Sequence, residues 1–197
     1  MLSRRELIQL GAAFASTGTL AEARAFGRVR SVQFSAMLAD ANSKDAVVFR
    51  RAATARGMRL HPVGADMTEL YLAQLSRGWR ADEPMAVGGL TRAEHLFVIE
   101  RLAWDVGARI VFLGRHADHG GTTAHALKGP GVAVDHFYSA IRLSDWRIAI
   151  AHTLLEVPCL MPALQPLSAV RDALIEGDPA LFSWVIAPVP RRRGVAV

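Results

Sequence analysis

The middle of this chain alternates between apolar runs and an amphipathic stretch. Met85-Ala86-Val87 is a short apolar run bounded by Pro84 and by Gly88-Gly89, the setting of a short strand. From Arg92 to Gly107 the residues Leu96, Val98, Ile99, Leu102, Ala103 and Val106 recur three and four apart, and Phe97 and Trp104 widen the apolar face. That spacing predicts a helix. Thr91 and Glu94 stand at capping-box spacing, which predicts Thr91 as N-cap. Gly107 is placed to close the helix. Ile110-Val111-Phe112-Leu113 is a continuous apolar run of the kind that a parallel sheet buries on both faces. The predicted unit is strand, helix, strand.

The flanking sequence extends the pattern. Val32 to Leu38 predicts a first strand. Lys44 to Arg56 predicts a helix capped by Ser43 and ended by Gly57. Met58 to Val63 predicts a second strand, and Pro62, which lacks a ladder donor, places it at an edge. Asp66 and Glu69 predict the start of a helix from Met67 to about Arg77. Beyond His116 the pattern loosens. Ala117 to Gly131 reads as a loop, Val132 to Tyr138 as a strand and Ser144 or Asp145 to Glu156 as a helix. Ser168 to Glu176 reads as a short helix and Leu181 to Ala187 as a last strand. The order strand-helix-strand with short connections predicts a single α/β domain. Its sheet is expected to be doubly wound and mainly parallel, flavodoxin-like or Rossmann-like, with helices on both faces.

Composition narrows the picture. The chain has 197 residues, 51% of them hydrophobic, enough for one sizeable core. The net charge of +5 is carried mostly by scattered arginines, and the one cluster, Arg191-Arg192-Arg193, lies in the tail. A nucleic-acid partner would need a basic face on a structured element, so none is expected. Ser3-Arg4-Arg5-Glu6-Leu7-Ile8-Gln9 is followed by a mildly apolar segment, Leu10 to Leu20, and by Ala23-Arg24-Ala25. These residues resemble the twin-arginine (Tat) signal peptides of bacterial exported proteins, with Leu7 where the pattern usually has Phe and Gln9 where it often has Lys. The resemblance implies export to the periplasm by the Tat machinery, already folded, with cleavage after Ala25. It also implies that a partner subunit of a Tat-exported redox enzyme can travel with such cargo. The leader is too short for a stable membrane span. The chain then divides into a leader (1–25), a linker (26–31), the α/β domain (32–190) and a basic tail (191–197). Cys159 is the sole cysteine, so no internal disulfide forms. Its apolar, proline-rich surroundings predict an inert small hydrophobe.

Ligands of open α/β sheets bind beyond the carboxyl ends of the strands. Those ends supply Asp40, Asn42, Gly64, Asp66, Gly88 to Thr91, Arg115 and His116. Gly88, Gly89 and Thr91 are expected at a strand-to-helix junction, where free helix N–H groups favour a small anion. The plainer reading is a tight turn, because Gly-Gly-Leu-Thr lacks the lysine of a phosphate loop. Asp66, Thr91, Arg115 and His116 are expected to share that crevice, with Arg115 suited to a carboxylate or phosphate. His116, Asp118 and His119 form a candidate metal set, with His125 and His136 further on; solvated loop histidines are the alternative. Asp135 and His136 are either catalytic or the polar face of a strand. His61, His95 and His152 read as structural or surface groups, and the four tryptophans as anchors in a core or interface. There is no Gly-x-Ser-x-Gly elbow and no Gly-x-Gly-x-x-Gly fingerprint, and no cofactor is assigned. Three functions follow as expectations. The first is an exported domain that binds a small anionic ligand or serves a redox enzyme as accessory subunit. The second is a metal-dependent hydrolase using the histidine loop. The third is a flavin- or nucleotide-binding protein.

Overall fold

Burial on two faces selects the strands of this chain. A computed structural model describes residues 33–64, 75, 79, 85–160, 166–167 and 180–188. The leader, the linker, Asp66, the helix expected at 67–77 except Leu75, the helix expected at 168–176, and the basic tail lie outside the described residues. In chain order the elements are β1 (Gln33–Asp40), α1 (Lys44–Ala55), β2 (Leu60–Val63), β3 (Met85–Arg92), α2 (Ala93–Asp105), β4 (Ala108–His119), β5 (Thr122–Lys128), α3 (Gly131–Ala140), α4 (Trp146–Glu156), a 3-10 turn (Val157–Leu160) and β6 (Ala180–Pro188).

The strands form one sheet in the order β2-β1-β3-β6-β4-β5. β1 pairs parallel with β2 and with β3. β6 runs antiparallel between β3 and β4, and β5 pairs antiparallel with the outer side of β4. β1 to β4 therefore point the same way, and the fold is α/β as the alternation predicts. Side chains alternate between the two faces. One face buries Met37, Ala39, Leu90, Phe112 and Val185 under α1, α3 and α4. The other buries Leu38, Val87, Ile110, Leu113 and Trp184 under Leu96, Ile99 and Ala103 of α2. Each large apolar side chain buried in this way contributes about 1.5–3 kcal/mol. At the start of α4, Asp145 accepts from the Arg147 N–H at 2.8 Å, and Arg147 reaches Asp45 of α1 at 2.7 Å. The Arg147 hydrogen bond holds the Asp145 carboxyl below its ordinary value. No described helix is long and apolar enough to cross a membrane.

Several local expectations are corrected. β3 does not stop at Val87 but runs through Gly88, Gly89 and Thr91. The glycine pair is a place of close packing, not a turn. A Cβ on Gly89 would lie 2.7 Å from the Leu38 carbonyl oxygen and 2.8 Å from the Trp184 ring, and one on Gly88 2.8 Å from the Phe34 ring. Thr91 does not cap α2. The N-cap is Arg92, which makes no side-chain capping bond. The Thr91 hydroxyl accepts instead from the Trp184 indole N–H at 3.0 Å, because a buried indole needs an acceptor. Residues 117–131 are no loop. β4 continues to His119 and turns back at Gly120 and Gly121, whose φ angles are 64° and 93°, as a two-residue hairpin requires. Residues 132–138 are helical, in α3, and not a strand. Phe97 and Trp104 are exposed and lie outside the core. Arg101 and Arg109 hold their guanidinium groups 4.9 and 5.3 Å from the Trp104 ring centre. Cys159 is exposed as well.

Candidate functional site

The chain reverses its direction of travel across the sheet at β1. β2 lies on one side of β1 and β3 on the other, both parallel to it. The helices that follow leave for opposite faces, since α1 packs on one hydrophobic layer and α2 on the other. The carboxyl ends of β1 and β3 therefore mark the switch point, the crevice position at which open α/β sheets take their ligands.

Asp40 is the last residue of β1, and its side chain is only 2% exposed. Its Oδ1 accepts from the Asn42 N–H at 2.8 Å. Its Oδ2 lies 3.2 Å from Nε of Arg92, the last residue of β3, and 3.7 Å from Nδ1 of His95 in the first turn of α2. Neither Asp40 Oδ2 nor His95 Nδ1 makes a hydrogen bond to another described group. The Arg92 side chain is 52% exposed. Its Nε faces Asp40, which leaves the rest of a five-donor guanidinium. The first N–H groups of α2 lack intrahelical partners, and the N-cap Arg92 makes no side-chain bond to them. The crevice thus sets a buried carboxylate, an imidazole, a half-exposed guanidinium and an open helix start side by side.

A second cluster lies on the other side of the sheet. His116 of β4 is buried beneath Trp146, whose ring stacks on it with centres 4.6 Å apart and planes 22° apart. His116 Nε2 is 2.8 Å from the Ser183 hydroxyl of β6, and His116 Nδ1 is 2.8 Å from Nδ1 of His125 on β5. A Cβ on Gly114 would lie 2.4 Å from the Ser183 oxygen, so only glycine leaves room for this contact. Burial, with His125 adding to it, lowers the His116 pKa to about 3, and burial also lowers that of His125. Both rings are therefore neutral at pH 7. One Nδ1 must then carry the shared proton, which fixes a relay: either Ser183 to His116 to His125, or the reverse. The order of groups is that of a nucleophile, a base and an orienting partner. However, the Ser183 oxygen lies where even a Cβ on Gly114 would come within 2.4 Å, so no space is left beside it for a substrate carbonyl. The relay acts as a polar strut between three strands.

The residues singled out in sequence therefore scatter. Gly88, Gly89 and Thr91 are buried within β3. Thr91 shares the face of Trp184, beneath α2, and His116 lies on the opposite face, beneath Phe137 and Trp146. Arg115 alternates with His116 and points to the Thr91 side. Both Thr91 and Arg115 register with Phe182, and the buried Nε of Arg115 makes no hydrogen bond to a described group. Asp66 lies outside the described residues. The metal set is not assembled. Asp118 accepts from the Gly121 N–H at 3.1 Å, and His116 and His119 point to opposite faces of β4. Among the described residues no group of three His, Cys, Asp or Glu side chains is placed to hold a metal ion. Arg92 and His95 were not singled out in sequence. The signal that marks them is their place at the end of β3 and in the first turn after it, beside the end of β1. A scan against models of protein families finds no match, and searches of curated proteins and of solved structures find none either.

Proposed function

We propose that this chain is an exported α/β domain that holds a small anionic ligand between the carboxyl ends of β1 and β3. One observation carries the ligand reading. Asp40, Arg92 and His95 converge with an uncapped helix start at the point where the chain reverses across the sheet. Arginine and a helix start both favour anions. The enclosed Ser183 favours binding over acyl transfer. Export rests on the resemblance of residues 3–25 to a twin-arginine leader.

Titration calorimetry of the purified full chain with inorganic phosphate and with propionate tests the ligand reading. Both anions are expected to bind, and Arg92→Ala to weaken them about tenfold, the loss of one charge-assisted contact. The absence of heat with either anion would remove the ligand reading. For export, replacing Arg4 and Arg5 together by lysine is expected to leave the protein in the cytoplasmic fraction. Unchanged periplasmic recovery contradicts it.

A further inference from the structure

The unmet hydrogen-bonding groups of the crevice define more than an anion. Asp40 Oδ2 accepts no hydrogen bond from another described group although its side chain is 2% exposed. His95 Nδ1, 3.7 Å away, is also buried without a hydrogen bond. Arg92 faces this carboxylate with Nε, 3.2 Å from Oδ2. An unsubstituted carboxylate such as propionate brings no donor to Oδ2 and adds a second negative charge beside Asp40, a repulsive pairing. A neutral alcohol satisfies Oδ2 and leaves Arg92 and the helix start unused. A ligand that carries an anionic group and a donor on the adjacent carbon meets both needs.

Building on the ligand-binding reading above, we infer that the crevice takes an α-hydroxy or α-amino carboxylate. Its carboxylate sits against Arg92 and the first N–H groups of α2. Its hydroxyl or ammonium donates to Asp40 Oδ2, with His95 Nδ1 beside it. Asp40 is thereby the specificity-determining residue, and Arg92 the common anion contact. The ammonium and hydroxyl forms share this chemistry and differ in charge, so Asp40→Asn separates them. It removes an ion pair from the first and exchanges one acceptor for another in the second.

Propionate, L-lactate and L-alanine share one carbon skeleton and differ in the group on the α-carbon. Calorimetric titration of the unaltered full chain with each is the test. At least one of lactate and alanine is expected to bind about tenfold more tightly than propionate, the value of one well-placed hydrogen bond to a charged group. Asp40→Asn, checked for native circular dichroism, is expected to abolish an alanine preference and to reduce a lactate preference less. His95→Gln, a milder change, is expected to weaken whichever ligand is preferred and to leave propionate unchanged. Propionate binding as tightly as both others overturns the inference while leaving the anion site standing, because Arg92→Ala still weakens propionate and phosphate. If propionate and phosphate both fail to bind, the anion site and the inference fall together.

Discussion

His116 shows what a single buried imidazole costs at low pH. Burial lowers its pKa to about 3 from the ordinary 6.5, and His125 adds to the effect. The folded protein holds the neutral form, and the unfolded chain takes up a proton below pH 6.5. This contribution to stability is therefore complete above pH 6.5 and is lost as the pH falls towards 3. At 1.36 kcal/mol per pH unit the full loss is on the order of 5 kcal/mol. His125, lowered by burial, acts in the same direction. Urea unfolding at pH 7, 5 and 4 should show midpoints falling steadily; equal midpoints at pH 7 and 4 would contradict the account. At this scale part of the crevice was legible. Asp40 was named because it ends an apolar run. Arg92 and His95 were missed because ending the strand at Val87 put the glycine pair, and not Arg92, at its carboxyl end beside Asp40. Thr91 itself misled because the Thr-x-x-Glu spacing says nothing of an indole arriving from β6.

The hairpin of β4 and β5 makes the same point for elements. Glycine-rich sequence reads as a loop, yet Gly120 and Gly121 are the whole turn. His116 and His125 are equidistant from that pair, so a two-residue turn centred there sets them directly opposite each other. That symmetry is present in the sequence and becomes visible only once the turn is recognised. The helix of residues 131–140 was missed for another reason. Its apolar residues are dense enough to mimic a buried strand, and Pro130 before them suits a helix start as well as a strand boundary. α1, α4 and the edge position of β2 were legible, because Ser43 and Asp145 do cap their helices and Pro62 does sit on an outer strand. Replacing Gly120 and Gly121 by alanine forces two side chains into left-handed backbone, at about 1–2 kcal/mol each. Hydrogen exchange of residues 122–128 should accelerate, with β1 and β3 unaffected. Unchanged protection of β5 contradicts this reading of the turn.

At the scale of the molecule, the α/β class and the strand–helix–strand order were legible, and the place of the last strand was not. Hydrophobic runs give strands but carry no direction, so nothing in Leu181 to Ala187 marked it as antiparallel. β6 lies between β3 and β4, and it brings Trp184 to Gly89 and Ser183 to His116. A chain ending at residue 179 should therefore lose its cooperative urea transition. Retention of a sharp transition would show that the two halves of the sheet hold without β6. The insertion also sets the timing of assembly. As the polypeptide leaves the ribosome, β1 to β3 and the β4–β5 hairpin emerge first, each with an open edge facing the gap. They remain a template without its filling until residues 180–188 are synthesised. The protein thus completes its sheet only once β6 has been made, and anything that binds it before then meets two exposed strand edges.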